Sequence, residues 1–362
     1  MLTTVTISAA IATTVFIVMF VLTLAGILTW VERKQSAIMQ DRIGANRARI
    51  LGLRLWGLFH IIADAVKMFT KEDFIPNTKH RFLFSLAPVL SLFFALLTFA
   101  VIPFGHQITI AGYLIPLQVA SVNVGILFIF AMMSVAVYGV VLAGWSSNNN
   151  YALLGGIRAS AQMISYEITI GLTLVGIIMI FQTLSLMEIV KAQGRLLFGV
   201  LPAWGIFYQP VGFLLFMIAG IAENKRIPFD IPEGESEIIG FFLEYSSMKF
   251  GMFMFADFIE TVLIASLLTT FFFGGWQVPY LADTGFVFPW GGRWDLNVWL
   301  VEGMRVISFI VKVCLFCWLL MLIRWTLPRF RFDQLMNLGW KVLLPLSLAN
   351  TIVTAAIVLW LD

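Results

Sequence analysis

Eight apolar stretches, each about as long as a bilayer is thick, divide this chain at residues 5–30, 82–104, 122–143, 161–182, 204–222, 251–273, 298–323 and 343–361. A helical crossing needs roughly 20 such residues. A bilayer interior admits only helices or closed barrels, because no water is there to satisfy an open backbone. Transmembrane strands would be short and alternating, whereas these runs are uniformly apolar. With 60% hydrophobic and 12% charged residues among 362, a water-soluble core is excluded. The expected fold is an all-α polytopic membrane protein of about eight transmembrane helices. Residues 1–362 form a single membrane domain in this reading, since nothing repeats at a fixed period and no soluble domain fits between spans.

Basic residues set the expected orientation. Of the 23 Lys and Arg, only Lys191, Arg195 and Arg293 fall in loops on one side, while Arg305 and Lys312 lie within a span. The remainder crowd the other side, which predicts an inner face and places both termini outside. No Lys or Arg precedes the first span and no small-residue cleavage site follows it, so it is expected to stay as a helix rather than act as a signal peptide. The net charge of +3 is thus mostly topology and gives no argument for nucleic acid. Cys314 and Cys317 form a C-x-x-C pair inside a span; they are too few for an iron–sulfur cluster or zinc site and are expected to pack. Any metal or redox centre would belong to another chain.

Three inner loops carry the remaining polar chemistry. The first opens with Glu32, Arg33 and Lys34 and continues into a segment where His60, Asp64, Lys67 and Lys71 recur at i, i+4, i+7 and i+11. That spacing makes one polar stripe on an otherwise apolar helix, one that lies in the interface or wedges beneath the bundle. Asp64 beside Lys67 fits either a polar wall facing a cavity or an i,i+3 ion pair that only holds the helix.

The second loop has an Asn run, a cap or turn signal, followed by Arg158 and by Glu167, which falls inside the membrane. A lone intramembrane Glu is either hydrogen-bonded to a neighbouring helix or part of a protonatable, water-filled site.

The third loop gathers Glu223, Asp230, Glu233, Glu235, Glu237 and Glu244 between two spans. Asp230-Ile-Pro-Glu233 has the form of a capping box at a helix start, which accounts for two carboxylates. Glu233 and Glu237 would then share a helical face, and repulsion there suits proton uptake or release. Span six adds Asp257 and Glu260 on one face. Span seven adds Glu302, Arg305 and Lys312, also compatible with one face, and for Glu302 and Arg305 local ion pairing is the preferred reading.

The segments Ala63-Asp-Ala-Val-Lys-Met-Phe-Thr-Lys-Glu-Asp73, Ala143-Gly-Trp-Ser-Ser-Asn148, Ile164-Ser-Tyr-Glu167, Pro228-Phe-Asp-Ile-Pro-Glu-Gly-Glu-Ser-Glu237, Phe273-Gly-Gly-Trp276 and Ile323-Arg-Trp-Thr-Leu-Pro-Arg-Phe-Arg-Phe-Asp-Gln334 together resemble the H-subunit (ND1) family of respiratory complex I. The likeness covers essentially the whole chain. Each motif alone is weak, but six in order are highly specific.

The resemblance implies a heel subunit of a proton-translocating NADH:quinone oxidoreductase, a translocase component without a redox centre and without catalysis as an isolated chain. It implies quinone as substrate, with FMN and iron–sulfur clusters on partner subunits. Those partners would be peripheral-arm iron–sulfur and quinone-site subunits, antiporter-like and small membrane-arm subunits, and membrane lipid. Carried over residue by residue, Glu32, Arg33, Asp64, Lys67, Arg226, Phe229, Asp230, Glu233, Glu235, Glu237 and Arg324 would line or support a quinone chamber. Glu223, Glu167 and Asp257 would begin an acidic path toward the antiporter-like subunits.

The chain departs from that pattern at Ala45, where Pro is usual, and at Asp257, where Glu is usual. It departs again at Ser134, where some members carry a carboxylate. Loop style favours the cytoplasmic (inner) membrane of a bacterium. Two readings compete: the heel subunit of a membrane-bound hydrogenase and a self-contained ion transporter. The complete third-loop motif favours quinone over the first. The second often shows inverted repeats and broken helices, neither of which is visible in the sequence.

Overall fold

The structure, a computed structural model, describes residues 2–361 apart from 51, 78, 79, 111, 112, 198, 233, 235, 236 and 239. Twelve α-helices are found among the described residues: α1 Leu2–Met39, α2 Phe59–Thr70, α3 Arg81–Leu97, α4 Gly125–Ser146, α5 Asn150–Phe181 and α6 Leu186–Gln193, then α7 Gly205–Tyr208, α8 Pro210–Glu223, α9 Ser247–Phe272, α10 Val298–Thr326, α11 Phe332–Asn337 and α12 Leu344–Leu361. Six of them, α1, α3, α4, α5, α9 and α10, have the length and hydropathy to cross a bilayer. A seventh crossing runs through α11 and α12, joined by a π-helical turn at Leu338–Leu343. The all-α, multi-pass expectation is met.

The fifth expected span is short and broken, yet it still carries the chain from the end of α9, where the Gly205 N–H donates to a Gln193 that binds Thr270, back to Glu260, which lines a cavity with Glu223. Residues 204–222 fold as the one-turn α7 and the 14-residue α8, with Gln209 and Pro210 between them. At 1.5 Å per residue α8 is about 21 Å long, shorter than a hydrocarbon core of roughly 30 Å. Pro210 sits at its first helical position, where the missing N–H costs nothing.

Two other helices outrun their apolar windows. α1 has 38 residues, about 57 Å, so its last turns carry Glu32, Arg33 and Lys34 beyond the membrane. α5 begins at Asn150, where the Asn149 side chain accepts from the Tyr151 N–H at 3.0 Å, as the Asn run predicts. Hydropathy stops where charge begins, but the helix continues because ion pairs and caps stabilise those turns.

α9 is the centre of the bundle. Of its most apolar 18-residue window 78% is buried, against 22–44% for the other crossings. It therefore can hold polar groups away from lipid. Thr261, Ser266, Thr269 and Thr270 each donate to the carbonyl four residues earlier at 2.8–2.9 Å, which satisfies these hydroxyls within the helix. Small residues let the remaining helices close in. A side chain at Gly139 of α4 would stand 2.9 Å from the Ser91 amide nitrogen of α3, and one at Gly155 of α5 would stand 2.9 Å from that of Phe241 in the third loop.

The face opposite the long first loop carries short antiparallel pairs: β1 Gln107–Ile110 with β2 Tyr113–Pro116, β3 Leu196–Leu197 with β4 Leu201–Pro202, and β5 Leu281–Ala282, β6 Gly285–Val287 and β7 Arg293–Asp295. Trp290, Trp294 and Trp299 are exposed here, as interfacial tryptophans are at a membrane edge.

Candidate functional site

The overhanging end of α1 organises the site. Glu32 accepts from Arg226 Nη1 at 2.9 Å on one oxygen and from Arg324 Nη1 at 2.8 Å on the other. One carboxylate thus joins α1, the third loop and the end of α10. Arg226 also lies over the Phe258 ring of α9, 4.3 Å from its centroid. The next residue, Arg33, pairs with Asp64 of α2 at 2.7 Å. This resolves the Asp64 alternatives: it faces a cavity wall and takes its cation from α1 rather than from Lys67.

α2 is the expected amphipathic helix, although Lys71 lies just past its end in extended backbone. His60 leaves the stripe's common role, its Nε2 accepting from the Arg47 N–H at 3.2 Å and so pinning the first loop.

Between α1, α2 and α9 opens a cavity of about 380 Å³. Glu32, Arg33, Asp64 and Lys67 line one part of it, and Met68, Phe69, Met254, Phe255 and Phe258 supply apolar walls. A slot with apolar sides and a few convergent polar groups is the usual form of a small-molecule site.

Met254 and Phe258 are shared with a second, smaller cavity of about 40 Å³ that also touches Lys225, Arg226, Asp230, Asp257 and Arg324. Asn224 is shared in turn with a third of about 20 Å³, lined by Glu223 and Glu260. The third has room for about one water molecule. Its wall includes Met163, one turn before Glu167 on α5, and Met133, the neighbour of Ser134 on α4. Ser134 Oγ donates directly to Glu167 Oε1, so the hydroxyl at this departure from the family pattern is a partner of the acid.

Asp230 pairs with Arg329 at 2.8 Å. Burial pushes its carboxyl above the ordinary carboxylate range, against the downward pull of Arg329 and Arg324. It caps no helix. Its described neighbours in the third loop form turns, because Arg329 takes the carboxylate that a capping box would have aimed at backbone N–H groups. Glu237, which does not sit on a helix either, pairs with Arg158 at 3.1 Å on a half-exposed surface. Glu244 accepts from Asn149 Nδ2 at 2.8 Å. Both tie the start of α5 to the loop.

Phe229 is buried and stacks on Phe330 with centroids 5.4 Å apart; it supports the loop from behind rather than lining the large cavity. Glu233 and Glu235 lie outside the described residues.

The structure therefore brings Glu32, Arg33, Asp64 and Lys67 to the first cavity, Arg226, Asp230, Asp257 and Arg324 to the second, and Glu223 to the third. Sequence reasoning misses one participant. Lys225 is 1% exposed, with its Nζ 3.1 Å from Asp257 and 3.8 Å from Glu260. In sequence it counts as one more inner-loop cation; the signal that points to it is Glu260, one turn from Asp257 on a span that must bury both.

At the opposite face Arg305 binds Glu302 at 2.5 Å and Asp283 at 2.6 Å, the local pairing expected for span seven. Lys312 donates to the carbonyls of Phe273, Gly275 and Gln277 at 2.6–3.0 Å. These groups hold α9 and α10 together at this face and do not join the series of cavities at the other.

Residues 11–355 match the model of the family described as NADH dehydrogenase. The chain belongs to the NADH dehydrogenase family. It is 45% identical over 350 residues to an NADH-quinone oxidoreductase H subunit, numbered 1, of Cytophaga hutchinsonii, covering 96% of each chain. It is 48% identical over 341 residues to the H subunit numbered 2 of the same enzyme from Geobacter sulfurreducens, covering 94% of this chain and 93% of that one. The NADH-quinone oxidoreductase H subunit of Flavobacterium johnsoniae is 42% identical over 352 residues, covering 95% and 94%. In this NADH dehydrogenase family member the matched segment runs from α1 into α12, so all three cavities lie within it.

Proposed function

We propose that this chain is the membrane heel subunit of a proton-pumping NADH:quinone oxidoreductase, in which the large cavity receives the quinone and the buried carboxylates couple its reduction to proton movement. The observation that carries the reading is the series of three cavities joined through shared residues, leading from Glu32 to Glu223. The apolar walls suit an isoprenoid quinone, and the cluster of Glu32, Arg33, Asp64 and Lys67 offers polar contacts to its head.

The electrons for the quinone would be supplied by iron–sulfur and FMN groups held on partner subunits. Two electrons and two protons convert the quinone to quinol. Before both protons arrive the reduced head carries negative charge, and the Glu32, Arg226 and Arg324 cluster is the first fixed charge set beyond the cavity. Glu233 and Glu235 follow Asp230 in the same loop sequence and are assigned to the same chamber by the family resemblance alone. A shift of one pKa unit is about 1.4 kcal/mol, so a few coupled groups relay several kcal/mol. Asp257, Glu223 and Glu167 pass the change inward to antiporter-like partners. The face bearing the long first loop is cytoplasmic in this reading, with both termini outside and the membrane that of a bacterial cell.

The test is isolation of the tagged chain from its native membrane in mild detergent, identification of what accompanies it, and assay of inhibitor-sensitive NADH:quinone reduction. Flavin and iron–sulfur subunits with that activity support the proposal. A nickel–iron hydrogenase in their place, or a solitary chain that moves ions, contradicts it.

A further inference from the structure

Lys225 has no place in the path described so far, yet its position is unusual. It is among the largest fully buried side chains, 1% exposed, at the end of a membrane-embedded helix where an unpaired ammonium would be very costly. Its Nζ rests on Asp257 Oδ1 at 3.1 Å, and Glu260 Oε2 is little farther away, at 3.8 Å. Asp257 and Glu260 are one turn apart on the same face of α9. Asp257 borders the second cavity and Glu260 the third. The ammonium therefore stands at the partition between the two. Beyond the partition, the Glu260 Oε2 and Glu223 Oε2 atoms are both buried with no hydrogen-bond partner among the described residues, and both acids line the same water-sized space.

We propose that Lys225 is a movable cation that joins the two cavities, resting on Asp257 and swinging to Glu260 when a proton reaches Asp257. The proposal rests on the coupling role given above and deepens it by naming the positioning residue. One ammonium balances one carboxylate. In the resting arrangement Asp257 is the carboxylate and Glu260 carries a proton.

A proton arriving from the large cavity forms an O–H bond on Asp257. The ammonium keeps all three of its N–H bonds, loses its counter-charge and moves to Glu260. The Glu260 O–H bond breaks as the ammonium arrives, and the released proton bonds to Oε2 of Glu223, which starts the step as a second carboxylate, so the site's one net negative charge is cancelled by the one proton that entered. One proton has entered from the cavity and one has been delivered to Glu223, with no net change of charge at the lysine. The swing is short because Asp257 and Glu260 are neighbours on one helix face.

The experiment uses the complete complex in native membranes, measuring protons taken up per NADH oxidised with quinone as acceptor. NADH oxidation by ferricyanide, a soluble acceptor that needs no membrane cavity, serves as the check on assembly. Lys225→Met is expected to assemble or, if the lone Asp257 charge prevents it, the double variant Lys225→Met/Asp257→Asn is, since it removes both charges. Whichever assembles should take up fewer than about one third of the wild-type protons per NADH. Lys225→Arg, which keeps the charge, should retain more than about half, a rescue that a merely space-filling role would not show.

Wild-type proton yield in either uncharged variant overturns the proposal, as does failure of both to assemble, which would make Lys225 a folding residue. If the wild-type complex itself took up no protons with quinone, the coupling reading would fall; normal wild-type coupling with unaffected variants removes Lys225 alone.

Discussion

Glu32 and Arg226 meet at 2.9 Å across 194 positions of sequence. The contact is mostly hidden from solvent, with side-chain exposures of 15% and 11%, and it fastens the overhanging end of α1 to the third loop. The large cavity lies on one side of this pair and the buried carboxylates on the other, so any signal between them passes the Glu32–Arg226 contact or runs beside it.

Breaking that pair from one side should be worse than removing it. Glu32→Gln leaves Arg226 and Arg324 facing each other without their shared counter-charge, and loss of one partner of a buried pair costs about 3–5 kcal/mol. The expected outcome is a fall in NADH:quinone reductase activity of about tenfold or more, since 1.4 kcal/mol of barrier is tenfold in rate, with NADH:ferricyanide activity retained. Steady-state rates with the two acceptors check it.

Filling the cavity should act on quinone and not on NADH. Ala65 lines the space on α2, and Ala65→Trp adds an indole there while leaving Glu32, Arg33 and Asp64 unsubstituted. The KM for a short-chain quinone should rise about tenfold or more while the KM for NADH stays constant. Titration of both substrates in membranes distinguishes this from general damage.

Acid should loosen the contact between α9 and α10 at the face bearing His106 and Asp283. Burial, then Arg305 and Lys191, hold the His106 imidazole below its ordinary value, and Asp283 opposes them weakly. Arg305 holds the Asp283 carboxyl below its own range, chiefly by the 2.6 Å hydrogen bond. For a histidine depressed in the folded state, stability is complete above its unfolded value of about 6.5 and is lost as pH falls from there to the folded value. For Asp283 the loss begins only below about 3.9 and runs down through its folded value. The thermal midpoint of the purified complex should thus drop between about pH 7.5 and 5.5, and His106→Gln should flatten that step. An equal drop in the variant would assign the pH response elsewhere.

Gly155 is a packing requirement with a measurable cost. A Cβ there would meet the Phe241 amide nitrogen at 2.9 Å and the Gly240 carbonyl carbon at 3.1 Å, and backbone cannot step aside as a flexible side chain does. Gly155→Leu should destabilise by about 1–3 kcal/mol or more, seen as a lower yield of assembled complex and a lower melting temperature. Gly171→Leu, at a site with nothing within 4 Å, is the control.

Much of this architecture is legible in the sequence, because hydropathy and charge act locally. The runs of about 20 apolar residues mark the crossings, and the i, i+4, i+7 stripe marks α2. Asn149 announces the start of α5. The exceptions have physical causes. α8 is shorter than its apolar window because Gln209 and Pro210 divide residues 205–223, and α1 and α5 continue past their windows on ion pairs that no hydropathy scale contains.

The candidate site is legible as residue types but not as partners. Asp64 could pair with Lys67 three residues on, and only the approach of α1 gives it Arg33. Asp230 has the look of a cap until the segment after α10 brings Arg329 beside it. Lys225 is hidden most deeply, since a lysine in a loop between spans is ordinarily solvated and only the folding of that loop back against α9 buries it.

The central claim is that the buried carboxylates carry the coupling, and Glu223 tests it most directly: it is 3% exposed and lies at the end of α8 on the third cavity. The measurement is quinone-dependent proton translocation into sealed membrane vesicles by the complex carrying Glu223→Gln, scaled to its ferricyanide activity. A fall of about tenfold or more is expected, with the complex assembled. Translocation at the wild-type level would contradict it.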